Sequence, residues 1–313
     1  MTPRLYVQEV AVRDGFQIEP AFVPTATKIA LIDELSATGL AKIEVTAFVS
    51  PKAVPNLRDA EEVMRGIRRV PGVIYSALAP NAKGAERALA CGVDEINLVM
   101  SASEAHNRTN VNRGTEQSLA GFSEVMQAVR GRGITVNGSI STSFGCPFEG
   151  EVPAARVLRF VERYLEIGMN GVTLADTTGM AHPAQVRELT RAVLARFPGL
   201  ELTLHFHNTR GMGLANVLAG LEAGAVRFDA SLGGLGGCPF APGATGNICT
   251  EDLVQMLHAM GYATGVDLDK LLRAAKKLPD IVAHEVPGQV MKAGKITDLH
   301  PIPVNLRNEP TRT

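Results

Sequence analysis

The sequence has no excess of either charge: in 313 residues, 31 lysines and arginines stand against 32 aspartates and glutamates. Nothing in that balance suggests the broad positive face that nucleic acid or an anionic membrane needs, and the expected partner is a small molecule. Cysteine is scarce. Cys91, Cys146, Cys238 and Cys249 form no CxxC pair, so free thiols in a reducing cytoplasm are expected. The N-terminal stretch MTPRLYVQEVAVRDG has neither a signal-peptide core nor a transit-peptide pattern. No apolar run approaches the roughly 18 residues of a membrane span. No GxGxxG follows the first strand pattern, as a dinucleotide-binding sheet would suggest. The absences together predict a soluble, cytoplasmic protein that engages neither membrane nor nucleic acid.

What is present is a strict alternation of two periods. Short β-rich runs occur at 5–10, 42–46, 73–78, 95–100, 135–140, 171–175, 202–207 and 226–231. Between and after them lie amphipathic patterns that predict helices over Thr25–Thr38, Asn56–Arg69, Asn81–Cys91, Ser118–Arg132, Pro153–Ile167, Pro183–Phe197, Met212–Ala223 and Thr250–Met260. Pro153 and Pro183 stand where a first helical turn tolerates proline, and Gly39, Gly92, Gly133, Gly168, Gly224 and Gly261 follow helices where left-handed caps favour glycine. Eight β-then-α units predict a closed (β/α)8 TIM barrel. Residues 1–278 are expected to form it. Beyond about Leu278 the period fades and prolines accumulate, so 279–313 are read as a C-terminal extension lying on the barrel or on a neighbouring subunit.

Polar residues that look misplaced in this apolar chain fall at the ends of strands: Arg13, Asp14 and Gln17 after the first, Glu44 on the second, Asp176 after the sixth, His205 and His207 on the seventh. Side chains alternate along a strand, so His205 and His207 aim to one side, at the rim where barrel active sites lie. Together with the carboxylate of Asp14 and the amide oxygen of Asn247 they would make a partly filled octahedral N/O site, suited to Mg²⁺ or Mn²⁺ and open to a chelating substrate. Each piece also has an ordinary reading. The histidines can be hydrogen-bonded core residues, Arg13 and Asp14 a local ion pair, Glu44 the partner of a buried arginine, and Asp176 a helix cap. The motif GCPF occurs twice, around Cys146 and around Cys238. Only Cys238 follows a GGLGG run, whose backbone freedom suits a lid that closes over substrate; Cys91, Cys146 and Cys249 are read as structural.

With RDGFQ after the first strand, EVTAFVSPKAVPNL from the second, ADTTG after the sixth, HFH on the seventh, and GGLGGCPFAPGATGN followed by TEDLV, residues 4–275 resemble the 3-hydroxy-3-methylglutaryl-CoA lyase family of metal-dependent barrel lyases. The resemblance implies a retro-Claisen cleavage of a 3-hydroxy-3-methylacyl-CoA thioester to acetyl-CoA and a keto acid, in a homodimer or higher homo-oligomer. It further implies that Asp14, His205, His207 and Asn247 bind the divalent metal, that Arg13, supported by Glu44, stabilises the enolate, and that Gln17 shapes the site. Cys238 would be the lid acid or base, and Asp176 and His205 would relay the hydroxyl proton. The chain departs from the family at Pro20, at Ala47 and at His207-Asn208-Thr209-Arg210. Asn208 and Arg210 make the rim more positive and are expected to help choose an anionic acyl group, as in citramalyl-CoA. A Claisen-condensing synthase of the homocitrate type and a catalytically silent metal- or CoA-binding barrel are the alternatives.

Overall fold

The computed structural model describes residues 4–237 and 246–301. Eight strands, β1 (Tyr6–Glu9), β2 (Lys42–Ala47), β3 (Ile74–Leu78), β4 (Glu95–Ser101), β5 (Thr135–Ser141), β6 (Gly171–Asp176), β7 (Glu201–Phe206) and β8 (Arg227–Ala230), pair in parallel and in sequence order. The ring closes where Tyr6 of β1 meets Arg227 of β8. All eight strands read from the sequence are there, and the fold is the expected (β/α)8 barrel. The outer layer comprises α1 (Thr25–Ser36), α2 (Ala60–Gly66), α3 (Ala82–Ala90), α4 (Glu104–Val111), α5 (Thr115–Val129), α6 (Ala154–Glu166), α7 (Pro183–Arg196), α8 (Gly213–Glu222) and α9 (Thr250–Ala259). Beyond it come α10 (Leu268–Ala275), α11 (Leu278–Val282) and α12 (Val290–Ala293).

The alternation follows from burial on both sides of each strand. Ile43, Val45, Ile96, Leu98, Val172, Leu174, Leu202 and Leu204 are buried beneath the helices, where each aliphatic side chain contributes roughly 1.5–3 kcal/mol. The six glycines expected to end helices all have positive φ, from 71° at Gly133 to 103° at Gly224. Pro183 occupies the first turn of α7.

Three segments differ from the sequence reading. The expected helix over Asn56–Arg69 is split: Pro55–Leu57 forms a 3₁₀ turn and α2 starts at Ala60. Asp59, at the junction, commits its carboxylate to Thr25 Oγ1 (2.8 Å) and Lys28 Nζ (2.7 Å) instead of capping. A short helix, α4, precedes α5 in a stretch to which the sequence reading assigned no element. Past α9 the described residues form three more short helices, α10 to α12, and this segment folds back on the barrel: Val286 and Met291 are buried, and the Asp252 carboxylate accepts the N–H groups of Gln289 and Val290.

Candidate active site at the barrel mouth

A cavity of about 520 Å³ opens among the loops that follow the strands, bordered by Arg13, Asp14, Gln17, His205 and His207 among others. It is built from β1 outward. After Glu9 the backbone makes one wide π-type turn, Ala11–Gly15, in which the Asp14 and Gly15 amides both donate to Val10 O (2.7 and 3.4 Å); such turns recur at functional sites. Buried Glu9 fixes its start by accepting the N–H groups of Ala11 and Leu232, each at 2.9 Å, and the Thr250 hydroxyl at 2.8 Å. Arg13 and Asp14 are thereby held together at the rim.

The Arg13 guanidinium donates through Nε to Glu44 Oε2 (2.5 Å) and through Nη1 to Asp14 Oδ1 (2.6 Å). Two of its five N–H groups are thus fixed on carboxylates, and the others are available to the cavity. Burial alone would lower its pKa, but Glu44 and Asp14 more than offset that and hold it charged. Burial likewise opposes ionisation of Asp14, yet Arg13, the two imidazoles and the Asn247 amide bring its carboxyl down to about 2. Between β2 and β3 the register slips at Glu44/Thr46, an irregularity of the kind that re-aims a side chain beside a site.

His205 and His207 lie with ring centroids 5.2 Å apart. His207 Nε2 is 4.0 Å from Asp14 Oδ2, and ligand atoms of Asp14, His205 and His207 all fall within 4.8 Å of one another. Asn247 is brought alongside by a backbone bridge to His207 and donates Nδ2 to Asp14 Oδ2 (2.8 Å) and Leu235 O (2.9 Å). Its Oδ1, like Nδ1 of His207, is buried with no hydrogen-bond partner among the described residues. Orphaned acceptors at a His/Asp cluster fit a divalent cation: coordination bonds of about 2.0–2.6 Å draw such atoms together with small movements. Burial and neighbouring His205 and Arg13 depress His207 to about 4, so its imidazole is neutral and able to ligate. Gly236 shapes the same cradle. Its φ is +105°, and a Cβ there would lie 2.6 Å from Asn247 Nδ2 and 3.0 Å from Asp14 Oδ2.

The sequence reading missed Asp229. Its Oδ2 lies 3.2 Å from His205 Nδ1, and against the cost of burial this raises the imidazole pKa. A carboxylate on Nδ1 turns Nε2 toward the metal position. The signal was the alternation in VRFDAS, but only the register, His205 opposite Asp229, places the two side by side. Also missed were the α4 region's His106, Asn110, Asn112 and Arg113 on the cavity wall.

Asp176 ends β6, and burial pushes its carboxyl up to about 6 although it accepts the Met180 amide through Oδ1 (2.8 Å); Oδ2 has no partner among the described residues. Gln17 borders the cavity. Asn208 and Arg210 do not: Asn208 Oδ1 caps α8 by accepting the Gly213 amide (3.0 Å), and Arg210 donates to the carbonyls of Thr178 (3.0 Å) and Gly179 (2.9 Å). Nη1 of Arg210 thereby helps hold the loop after Asp176. Cys146 is fully buried, with Sγ 3.0 Å from Ser103 Oγ and accepting the Phe148 amide; it braces a loop and does not border the cavity. Cys238, the other GCPF cysteine, lies outside the described residues.

Residues 4–278 match the HMGL-like family model. The chain belongs to the HMGL-like family. It is 46% identical over 292 residues to the hydroxymethylglutaryl-CoA lyase of Bacillus subtilis, covering 93% of this chain and 98% of that protein. It is 41% identical to the (R)-citramalyl-CoA lyase of Chloroflexus aurantiacus, over 93% of this chain and 95% of the relative. Among solved structures, an HMG-CoA lyase from Acinetobacter baumannii in complex with coenzyme A and 3-methylmalate is 55% identical, with a TM-score of 0.94 over 97% of this chain and 100% of that one. This member of the HMGL-like family is accordingly an enzyme of the carbon–carbon lyase class. No described helix is long and apolar enough to cross a membrane.

Proposed function

We propose that this HMGL-like enzyme cleaves 3-hydroxy-3-methylglutaryl-CoA, or a close 3-hydroxy-3-methylacyl-CoA, to acetyl-CoA and a keto acid with the help of Mg²⁺ or Mn²⁺. The observation that carries the reading is the juxtaposition, on one rim, of an Asp/His/His group with a buried arginine fixed by two carboxylates. Asp14, His205, His207 and Asn247 would hold the metal, which when bound supplies Lewis acidity for a substrate's hydroxyl and carboxyl oxygens.

The chain's own residues divide the remaining work. The carbinol O–H loses its proton as the C2–C3 bond breaks, and the electron pair passes to C2 and on to the thioester oxygen as an enolate. Arg13, held charged and immobile, donates to that oxygen as charge develops there. Asp176, near His205 and with its carboxyl at about 6 and Oδ2 unpartnered among the described residues, is proposed to receive the hydroxyl proton, while His205, turned by Asp229, would serve as a metal ligand. Return of a proton to C2 completes acetyl-CoA, and Cys238 is the residue proposed to deliver it. Gln17 is placed to shape the enolate site.

A second reading has a specific support: relatives over nearly the whole chain include a citramalyl-CoA lyase and a structure holding 3-methylmalate. In that reading the substrate carboxylate sits directly on the carbinol carbon. Acetyl-CoA release from hydroxymethylglutaryl-CoA and from citramalyl-CoA, measured side by side with Mn²⁺ present, distinguishes the two by the larger kcat/KM. Turnover of neither would end the proposal.

A further inference from the structure

Below the mouth the barrel interior carries a ladder of hydrogen-bonded polar side chains that starts at the Glu44 carboxylate. Glu44 Oε2 holds Arg13, and Glu44 Oε1 accepts Nδ2 of Asn97 at 2.9 Å. Asn97 Oδ1 in turn accepts from the Ser139 hydroxyl (2.9 Å) and from Asn137 Nδ2 (3.0 Å), and Asn137 also reaches Thr173 Oγ1 at 3.0 Å. Asn97 lies inside β4, paired with Leu78 on one side and Asn137 on the other, so its backbone is fixed by two ladders.

We propose that Asn97 is a positioning residue for the lyase reaction, setting the angle at which Arg13 meets the thioester oxygen by locking the carboxylate of Glu44. The inference rests on the lyase reading given above. The terminal torsion of a glutamate is soft, and a carboxylate bonded only through Oε2 can rock about it, carrying the guanidinium along. Asn97 removes that freedom by occupying Oε1. Its own amide cannot flip without cost, because Ser139 and Asn137 both donate to Oδ1; turning the NH₂ toward them would place donor against donor and acceptor against the Glu44 carboxylate. An arginine fixed by Asp14 and Glu44 is aimed only as well as Glu44 is held, and small misplacements of a transition-state group carry large rate penalties.

The test exchanges donor and acceptor. Asn97→Asp sets a carboxylate against Glu44 and should lower kcat about tenfold or more, with KM and Mn²⁺ affinity within about threefold of the parent. Glu44→Gln should also be impaired. In Glu44→Gln/Asn97→Asp, the glutamine Oε1 accepts from Arg13 Nε while its Nε2 donates to the new carboxylate, which still accepts from Ser139 and Asn137. The pair should recover at least tenfold over the worse single variant. A packing role predicts no such rescue, and a double variant no better than the worse single one overturns the proposal. Because Asn97→Asp can fail to fold, Asn97→Ser is read in parallel: it should cost about tenfold in the parent and less than about threefold in Glu44→Gln, and equal costs in both overturn the coupling. Nitrogen-15 NMR of the Arg13 Nε–H gives a readout that needs no turnover. The resonance should be exchange-protected in the parent, lost in Asn97→Asp and restored in the double variant; an unchanged resonance refutes the role of Asn97 even if the lyase reading itself were to fail.

Discussion

Replacing Gly236 by alanine should damage the metal site far more than the same change at Gly72, and the size of the effect follows from two separable costs. At φ +105° an alanine is strained, which costs about 1–2 kcal/mol. The added Cβ would also fall 2.6 Å from Asn247 Nδ2 and 3.0 Å from Asp14 Oδ2, inside contact distance of both. The 2.8 Å bond between those two groups must then open, costing a further 1.5–3 kcal/mol or about that much for a bond to a charged acceptor. Gly72 is the control: its φ is +89° and nothing lies within 4 Å of a Cβ built there, so Gly72→Ala carries the backbone cost alone. Urea denaturation of both variants should place Gly236→Ala about 1.5–3 kcal/mol below Gly72→Ala. A Mn²⁺ titration should show affinity lowered about tenfold or more in Gly236→Ala and unchanged in Gly72→Ala. Equal stability losses, or parental Mn²⁺ affinity in Gly236→Ala, would refute the cradle.

Asp229→Asn should weaken Mn²⁺ binding about 10- to 100-fold by releasing the His205 ring, read by the same titration. Burial, with Asp252 and Glu9 nearby, raises Glu251 to about 8 against the stabilising Gly233 amide; between about 4.5 and 8 the folded state therefore keeps a proton that the unfolded state releases, and stability falls as pH rises through that window. Thermal midpoints from pH 5 to 8 should slope downward in the parent and less steeply in Glu251→Gln, and identical slopes would remove Glu251 from the account. Cys238→Ser should lose most of the cleavage rate while Cys146→Ser, replacing a buried thiol that faces Ser103 and the Phe148 amide, keeps it; comparable losses would undo the assignment of roles to the two GCPF cysteines.

The strands and most helices were legible because each carries a periodic apolar face and a glycine or proline at its boundary. The helix α4 was not. Its sequence EAHNRTNV has no apolar stripe, and it is held by polar burial instead: Ser103 caps it, His106 Nδ1 meets Ser101 Oγ at 2.6 Å, and Asn107 bonds the Ser101 and Arg113 backbone. Arg13, Asp14, His205 and His207 stood out as polar residues at strand ends, where an apolar chain has no packing use for them. Asp229 and Asn97 are equally polar and just as inward, but each sits inside a strand, and what they hold becomes visible only when the neighbouring strands are laid beside them in register. Arg210 reads in sequence as a charge gained beside the metal ligands, and its structural contact is invisible there: three residues past His207, its Nη1 donates to the Thr178 and Gly179 carbonyls of the loop after β6.

The most direct test of the central claim is acetyl-CoA release from 3-hydroxyacyl-CoA thioesters by the purified protein, before and after chelation of divalent metal, with His207→Ala as the control. The account predicts release from hydroxymethylglutaryl-CoA or citramalyl-CoA that stops on chelation, returns with Mn²⁺ or Mg²⁺, and is absent in His207→Ala. Release that persists undiminished after chelation, or in His207→Ala, would contradict it.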